Sequence, residues 1–341
     1  MEQRRLSELL ARFPDINILV IGDYFLDRYL IIEPSLGEIS IETGLVAHQV
    51  VDVRCSPGAA GTVTSNLRAL GVGVTALGII GDDGLGYDLM GGLRDTGVQT
   101  DHLLQVNDRF TPTYTKPMSR ADDGILTEMN RLDVKNRQPL QAEYEDMIIE
   151  RLRALLPEVD GIIIPDQVSE PNCGVITDRV RDEIIRLARQ YPDKPIVADS
   201  RARIGAFRSI MLKPNEHEAA RAILGNDAPD EPDRATIEKC GRALAEQTGR
   251  PVFVTIGAEG ILVYEDDAIT HVPGIRVTGP IDIVGAGDSA LAGLTSALCS
   301  GATPSEAALV GNLVASITVQ QIGTTGTASP GQVLERLSWL Q

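Results

Sequence analysis

Short runs of aliphatic and β-branched residues alternate along this chain with longer amphipathic stretches. This alternation limits the possible folds more than any other feature of the sequence. Buried strands are predicted at residues 16–21, 74–80, 161–164, 195–198 and 251–256. Helices are predicted at residues 63–70, 85–93, 175–189, 216–224, 237–247, 286–299 and 304–320. Strands that alternate with helices favour an α/β fold with a mostly parallel sheet, covered by helices on both faces. Sheets of this type bind ligands at the carboxyl ends of their strands.

Two segments depart from this alternation, because polar and apolar residues follow one another there without a helical period. They are residues 29–53 and residues 110–131. This pattern is typical of antiparallel strands with one exposed face, and two separate insertions can form one small sheet. We therefore predict a core made of residues 1–28, 54–109 and 132–341, with residues 29–53 and 110–131 forming a β-sheet lid.

The charge balance restricts the kinds of partner that the chain can bind. Its 341 residues include 31 Lys or Arg and 48 Asp or Glu, which gives a formal net charge of −17. Such a surface repels phosphate backbones and anionic lipids, so we expect neither a nucleic-acid nor a membrane partner. An anionic small substrate remains compatible with this charge, because a local group of cations can oppose the global sign.

The ends of the chain and its cysteines point to the cytoplasm. The N-terminus lacks an apolar signal-peptide segment. Leu6, Leu9, Leu10 and Phe13 have helical spacing, which predicts a short amphipathic helix docked on the core. The four cysteines are far apart in sequence and form no C-x-x-C pair, so we expect isolated buried thiols in a reducing compartment.

The motif that carries the most chemistry is DIVGAGDS at residues 282–289, followed at once by an apolar helix. Its glycines allow successive backbone N–H groups to point in one direction, and a helix N-terminus adds partial positive charge. This turn would suit phosphate oxygens, and Asp288 beside it could accept a proton from an attacking hydroxyl. A helix-capping Asp beside glycines that only shape a turn is the alternative interpretation.

Three further patterns allow both a functional and a structural interpretation. Asn215 and Glu218 lie three residues apart at a predicted helix start, where they could serve a phosphate or a water ligand of Mg²⁺, or form a capping box. Asp23 and Asp27 follow the first strand and could receive sugar hydroxyls or cap a loop. Small residues at 57–61 precede a helix that carries Asn66, and they permit either a close ligand approach or close packing.

Taken together, these motifs resemble the ribokinase/PfkB carbohydrate kinase family over about residues 15–330. The order of the pieces matches: Gly-Asp near the start, a Gly-rich stretch before an Asn-bearing helix, N-x-x-E midway and G-A-G-D near the end. Within that family the chain is most similar to the kinase domain of bifunctional ADP-heptose synthases, the D-glycero-β-D-manno-heptose 7-phosphate kinases. The matching segments are GDYFLDRY (22–29), SIETGLV (40–46), TK (115–116), NRLD (130–133), ADSR (198–201), LKPNEHE (212–218) and GTT (323–325).

The resemblance implies a Rossmann-like, ribokinase-like three-layer core, a β lid that is often shared across a homodimer, and ATP with Mg²⁺ as cofactors. It implies Asp288 as the catalytic base. The amides implied to form the anion hole are those of Gly285, Ala286 and Gly287. The residues implied to face the sugar are Asp23, Asp27, Gly58 and Asn66. The residues implied to serve the nucleotide are Asn215, Glu218, Thr255, Gly257, Gly260 and Asn312. Glu218 would serve Mg²⁺ through phosphate or water, and a K⁺ site near Asp282 and Val284 remains open.

A sugar phosphate held by a protein of charge −17 needs local cations. Lys116, Arg120 and Arg131 are the candidates, and solvated surface charge is the alternative interpretation for them.

The sequence departs from the family pattern at several positions near the expected sugar and nucleotide. The usual Gly-Gly-Ala-Ala-Asn is replaced by GAAGT at residues 58–62, Val284 replaces a threonine, and Arg201 stands where heptose kinases tend to have lysine. The catalytic Asp and the anion-hole glycines are present. These departures weaken the assignment of a heptose phosphate more than they weaken the assignment of phosphoryl transfer.

Two functions therefore follow as predictions. The first is an ATP-dependent sugar or sugar-phosphate kinase that transfers the γ-phosphoryl group to a sugar hydroxyl. The second is a non-catalytic sugar or nucleotide sensor on the same fold, which the changes at Ala59 and Thr62 motivate. A nicotinamide-dependent oxidoreductase is disfavoured, because the first predicted strand ends in Gly-Asp-Tyr-Phe and lacks G-x-G-x-x-G.

Overall fold

A computed structural model describes residues 1–121, 123–323 and 325–340. The strands in these ranges are β1 (Asn17–Ile21), β2 (Tyr24–Ile32), β3 (Glu38–Ile39), β4 (Val46–Ala47), β5 (Val50–Ala59), β6 (Gly73–Gly81), β7 (Gln99–Val106), β8 (Thr113–Arg120), β9 (Leu126–Glu128), β10 (Leu132–Val134), β11 (Gly161–Asp166), β12 (Ile196–Ser200), β13 (Met211–Leu212), β14 (Val252–Thr255), β15 (Gly260–Glu265) and β16 (Ala268–Pro273). The α-helices are α1 (Gln3–Leu10), α2 (Ala60–Ala69), α3 (Gly84–Asp95), α4 (Ala142–Leu155), α5 (Asp178–Ala188), α6 (Glu216–Leu224), α7 (Arg234–Thr248), α8 (Ala286–Cys299), α9 (Pro304–Thr318) and α10 (Pro330–Leu337).

The large sheet has the strand order β16-β15-β14-β13-β12-β11-β1-β6-β7 in the described residues. The pairs from β7 across to β14 are parallel, and β15 and β16 add an antiparallel edge. The mostly parallel α/β sheet predicted from the sequence is therefore confirmed. In a parallel sheet all strands end at the same edge, so the loops after β1, β12, β13 and β14 are brought close to one another.

The side chains of the central strand β1 show why helices cover both faces of this sheet. Ile18 and Val20 pack into one hydrophobic cluster together with α1, α2, α3, α8, α9 and α10. Leu19 and Ile21, the alternate residues, pack into the other cluster with α4, α5, α6 and α7. A strand with four consecutive apolar residues, as at positions 18–21, must bury both of its faces, and this requirement produces the three-layer core.

The second sheet has the order β10-β8-β2-β5, and β9 also pairs with β8. The β2–β5, β8–β9 and β8–β10 pairs are antiparallel, as expected, but β2 and β8 run parallel. Between β2 and β8 the chain forms β6 and β7 of the large sheet, and it then enters the second sheet again in the direction of β2. The strands extend beyond residues 29–53 and 110–131, since β2 starts at Tyr24, β5 ends at Ala59 and β10 ends at Val134. The division into core and lid remains a prediction.

Other local predictions can be compared with the structure directly. Leu6, Leu9, Leu10 and Phe13 are buried, so the docked N-terminal helix is confirmed. The described cysteines are all free. The prediction that all are buried is wrong for Cys55, which lies on the exposed part of β5, and Cys299 is only half-buried. None of the helices in the described part of the chain has the length and apolar character needed to cross a bilayer.

One buried carboxylate joins the first strand to a distant loop. Asp23 is 3% exposed, and it accepts N–H bonds from Gln167 (2.9 Å), Val168 (3.0 Å) and Val175 (2.7 Å). Burial is the main reason that the pKa of Asp23 is raised to about 6, followed by the nearby charge of Asp166. The loop after β11 is thus held against the end of β1.

We predict that Asp23→Ala lowers the free energy of unfolding by about 3 kcal/mol, because three N–H groups in this loop lose their acceptor. Urea unfolding at pH 7 measures the change. Asp193→Ala is the matched control, since Asp193 is exposed and its change should stay within about 0.5 kcal/mol. A loss no larger for Asp23→Ala than for the control would contradict the anchoring role.

Candidate active site

The N-terminus of α8 forms a tight turn at the carboxyl edge of the large sheet. Gly285 is the N-cap and has φ +80°, a conformation that glycine adopts without steric cost. The Ala286 amide donates to the Ile283 carbonyl at 3.1 Å and closes the turn. Of the three predicted anion-hole amides, this one is therefore already engaged. The backbone amides of the first turn of α8, including those of Gly287 and Asp288, have no carbonyl partner inside the helix, as at the start of any α-helix. They form the positive end of the helix dipole.

Asp288 is the third residue of α8 and is half-buried. Burial raises the pKa of Asp288 to about 7, and the negative charge of Asp199 adds to this increase. Lys213 and Arg201 act in the opposite direction. A carboxyl group with a pKa near neutrality can accept a proton in one step and release it in another.

Two residues for which the sequence predicted no role complete this region. Lys213 follows β13 and is 3% exposed, and its Nζ lies 2.7 Å from Oδ2 of Asp199 at the end of β12. A Cβ on Gly287 would lie 3.7 Å from the same Nζ. Lys213 and Asp199 both lie at the carboxyl end of a strand, where sheets of this type bind ligands. This position is the sequence signal that could have indicated a role for them.

Asn215 and Glu218 form the capping box of α6. The Glu218 amide donates to Asn215 Oδ1 at 2.8 Å, and the Asn215 amide donates to Glu218 Oε2 at 2.9 Å. The structural interpretation of N-x-x-E is thus confirmed, while its role toward phosphate or Mg²⁺ stays a prediction. Burial, followed by Asp199, raises the pKa of Glu218 to about 7. Thr255 bridges to Asn215 and so brings the end of β14 next to this turn.

The other residues predicted to border the nucleotide lie around β15 and α9. Gly257 and Gly260 have φ +55° and +103°, and a Cβ at Gly260 would lie 2.3 Å from the Gly274 nitrogen and from the Val272 oxygen. Asn312 donates to the Val272 and Pro273 carbonyls at 3.1 and 3.0 Å. In this structure the Asn312 side chain ties α9 to β16.

Asp27 connects the core to the second sheet. It is buried, its Oδ1 lies 3.7 Å from Lys116 Nζ, and Lys116 donates to the Tyr29 hydroxyl at 3.2 Å. Burial raises the pKa of Asp27, while Lys116 opposes the increase. Gly58 lies across from this carboxylate, and a Cβ there would stand 2.9 Å from Asp27 Oδ2. Only glycine fits at this position without moving Asp27.

The other cations of the predicted substrate set lie on the second sheet or beside it. Arg131 pairs with Asp133 at 2.6 Å and stacks over the Tyr114 ring at 4.0 Å. Arg120 lies 3.9 Å from Glu33. Both guanidinium groups are thus engaged by neighbouring residues and stay near the solvent.

The structure gives Asp23 and Asn66 internal partners where the sequence predicted sugar contacts. Both Asp23 oxygens accept backbone N–H bonds, as described above. Asn66 is 1% exposed and donates to the Thr62 carbonyl at 3.0 Å, and its Oδ1 has no hydrogen-bond partner among the described residues. A sugar-binding role for Asp23 and Asn66 stays a prediction.

One departure from the family pattern falls at Ala59. It is the N-cap of α2 and has φ +53°, so it occupies a conformation that favours glycine. A residue other than glycine holds this turn at a cost in strain. Thr62, in the next turn, lies beside the GAGD motif, because a Cβ on Gly285 would be 3.4 Å from its Cγ2.

Asp282 organises the loop before α8. Its Oδ1 accepts the Val284 amide at 3.0 Å and its Oδ2 accepts the Gly323 amide at 3.4 Å. Val284 is exposed. Within the described residues, no three His, Cys, Asp or Glu side chains come together as a metal-binding cluster.

Comparison with family models identifies the family of the chain. Residues 31–330 match the model of the pfkB family carbohydrate kinases. The chain belongs to this family. The predicted enzyme class, a carbohydrate kinase, is thereby confirmed.

The curated relatives of this family member include bifunctional proteins. The chain is 32% identical over 338 residues to the bifunctional protein HldE of Geobacter metallireducens, covering 98% of this chain and 65% of that protein. It is 30% identical to the HldE protein of Wolinella succinogenes, covering 94% of this chain and 64% of that protein. The chain thus spans slightly less than two thirds of these relatives.

Solved structures confirm the ribokinase-like fold. The ribokinase of Arabidopsis thaliana, complexed with ribose and ATP, has a TM-score of 0.66 at 18% identity and covers 94% of this chain and 98% of its own. The Y23D mutant of phosphofructokinase-2 from Escherichia coli has a TM-score of 0.67 at 17% identity, and the match covers 96% of this chain and 100% of that one.

We predict that Asp288→Asn makes the folded protein more stable at pH 8, by roughly 2 kcal/mol after allowance for partial solvent exposure. The folded-state pKa of Asp288 is about 7, above the ordinary value of 3.8. Its ionisation therefore costs the wild type stability as the pH rises from 4 to 7.

Urea unfolding at several pH values measures the difference between the variant and the wild type, which should grow up to pH 7 and then level off. Asp193→Asn is the control, because it replaces an exposed carboxylate and should follow the wild type. A difference that does not depend on pH would refute the raised pKa of Asp288.

Proposed function

We propose that the protein is an ATP-dependent kinase that transfers the γ-phosphoryl group to a hydroxyl of a sugar or sugar phosphate. The observation that supports this best is the half-buried carboxyl of Asp288 at the helix turn of Gly285 and Gly287. An acid and a positive backbone turn are thus placed side by side, as phosphoryl transfer to an alcohol requires.

Asp288 is proposed to take the proton of the sugar hydroxyl. With a pKa of about 7, a substantial fraction of this carboxyl is ionised at neutral pH and can accept that proton. The Gly287 amide and the other free amides of the turn would stabilise the negative charge on the phosphoryl oxygens. The amide of Ala286 joins this anion hole only if its bond to Ile283 opens.

The phosphate end of ATP is proposed to lie between the turn of α8 and the start of α6. Carboxylate and amide oxygens of the kind offered by Glu218 and Asn215 suit Mg²⁺, which usually keeps several waters and binds through phosphates. When bound, Mg²⁺ would neutralise charge on the phosphates. Glu218 would hold one of its waters, while Thr255, Gly257, Gly260 and Asn312 border the nucleotide. A K⁺ site at Asp282 and Val284 is part of the same proposal.

The sugar is proposed to bind beside Asp27 and Gly58, under the second sheet. Lys116 is 3.7 Å from Asp27 and supplies a buried positive charge at this point. Arg131, stacked on Tyr114, could close on an anionic group of the substrate. These cations favour a sugar phosphate over a neutral sugar, and the similarity to HldE proteins makes a heptose phosphate the first candidate.

We predict that Asp288→Asn lowers kcat by about 10²–10⁴ or more while sugar binding stays nearly intact, because the amide cannot accept the proton. Steady-state kinetics and calorimetric sugar binding measure the two effects. Turnover like that of the wild type would refute the assigned role.

The substrate is identified by a screen that reads ADP release with heptose 7-phosphate, fructose phosphates, ribose and nucleosides. ADP release above the ATP-only background supports the kinase. Tight binding of a sugar or nucleotide without turnover of any compound would favour the sensor.

A homodimer through the lid is the remaining part of the proposal. Residues 36–53, which include β3, β4 and the start of β5, expose several apolar side chains, which we call the lid patch. Its members are Leu36, Ile39, Ile41, Leu45, Val46, Val50, Val51 and Val53. Exposed apolar side chains concentrated in one segment favour an interaction surface, and a second copy of the chain is the proposed partner that covers them.

We predict that Ile41→Glu dissociates the dimer, because each interface would then bury a carboxylate. Sedimentation velocity at several protein concentrations measures the oligomeric state. Ile322→Glu, at an exposed apolar position outside the lid patch, should leave it unchanged. A wild-type monomer at high concentration would contradict the dimer.

A further inference from the structure

Lys213 is unusual because an ammonium group rarely occupies a site with 3% exposure. Among the described residues, Asp199 is the only carboxylate within 4.0 Å of its Nζ, at 2.7 Å. The pair lies beneath the turn of α8, since Nζ is 3.7 Å from the Cβ position of Gly287, the residue before Asp288. Nothing in the capping of α6 or in the packing of β13 requires a charge at this point.

We propose that Lys213, clamped by Asp199, is a positioning residue that supplies a fixed buried positive charge to the carboxylate of Asp288. This role deepens the proposed function and rests on it, because it serves catalysis only if Asp288 receives the substrate proton.

The other charged groups around Asp288 cannot replace this charge. Arg201 faces Asp288 from the end of β12, but it is exposed, so solvent screens it. Asp27 faces it from β2 and is paired with Lys116. Glu218, on α6, faces Lys213 and Asp199, and its own raised pKa of about 7 reduces its charge at neutral pH.

Lys213 and Asp199 act on Asp288 with opposite signs. The ammonium favours the ionised carboxyl, and the Asp199 carboxylate disfavours it. The wild-type pair leaves Asp288 close to half-ionised at neutral pH. Removal of either partner should therefore move the titration of Asp288, and the two directions should differ. A residue that only maintained packing would not produce opposite shifts.

The direct test is a carbon-13 NMR titration of aspartate carboxyls in the full-length protein, with the Asp288 signal assigned by its loss in Asp288→Asn. We expect Lys213→Met to raise the Asp288 midpoint by about one pH unit and Asp199→Asn to lower it by a similar amount. Lys213→Arg, which keeps the charge, should stay near the wild-type midpoint. Lys239→Met removes an exposed lysine and is the matched control.

Activity gives a second measurement. The acid limb of the pH profile of kcat/KM should move in the same directions as the Asp288 midpoint. The ratio of activity at pH 9 to activity at pH 7 should therefore be higher in Lys213→Met than in the wild type. An unchanged Asp288 midpoint in Lys213→Met, or equal shifts in Lys213→Met and Lys213→Arg, would overturn the proposal. If Lys213→Met fails to fold, the Asp199→Asn midpoint decides.

The NMR titration needs no turnover, so it separates the two proposals. Absence of ADP release with every sugar would refute the kinase function, whereas the opposite midpoint shifts would still establish the Lys213 charge.

Discussion

The whole site depends on one buried ammonium group, that of Lys213, and on the carboxylates that surround it. Glu218 and Asp288 lose solvation where the strands end, and the nearby negative charge of Asp199 adds to the rise in the pKa of both. Lys213, 2.7 Å from Asp199, offsets part of that cost. The remaining imbalance holds Asp288 and Glu218 near pKa 7, where a carboxyl can exchange a proton at neutral pH. The same imbalance destabilises the folded chain, as expected where function and stability compete.

The fold produces this concentration of charge through its topology. Parallel strands deliver Asp199, Lys213 and Asn215 to one edge of the sheet, and the apolar helix α8 packs with its N-terminus at that edge. Residues 289–298 of α8 are all buried, so the position of its first turn is fixed by packing. Asp27 and Lys116 arrive from the second sheet. The catalytic proposal therefore depends on side chains from distant parts of the sequence, held by one hydrophobic core.

The sequence predicted the layers of the fold and the turn of α8, because apolar periodicity and glycine spacing are local signals. It did not predict β7, α4 or the β15–β16 hairpin, whose patterns are less continuous. It also could not assign Asp23, whose acceptor role is decided by backbone N–H groups 144 to 152 residues further along the chain. Lys213 was overlooked because a lysine beside proline suggests an exposed turn, and only the tertiary structure shows its burial. Ala59 keeps a glycine-like φ that no residue pattern reveals.

The central claim is that the first turn of α8 receives the phosphates of ATP. Backbone amide shifts, measured by nitrogen-15 NMR during titration with a non-hydrolysable ATP analogue and Mg²⁺, test it most directly. The account predicts that the amides of Gly285, Gly287 and Asp288 shift together, along with those of Asn215 and Glu218. Saturable binding of the analogue that leaves the turn of α8 unperturbed would contradict it.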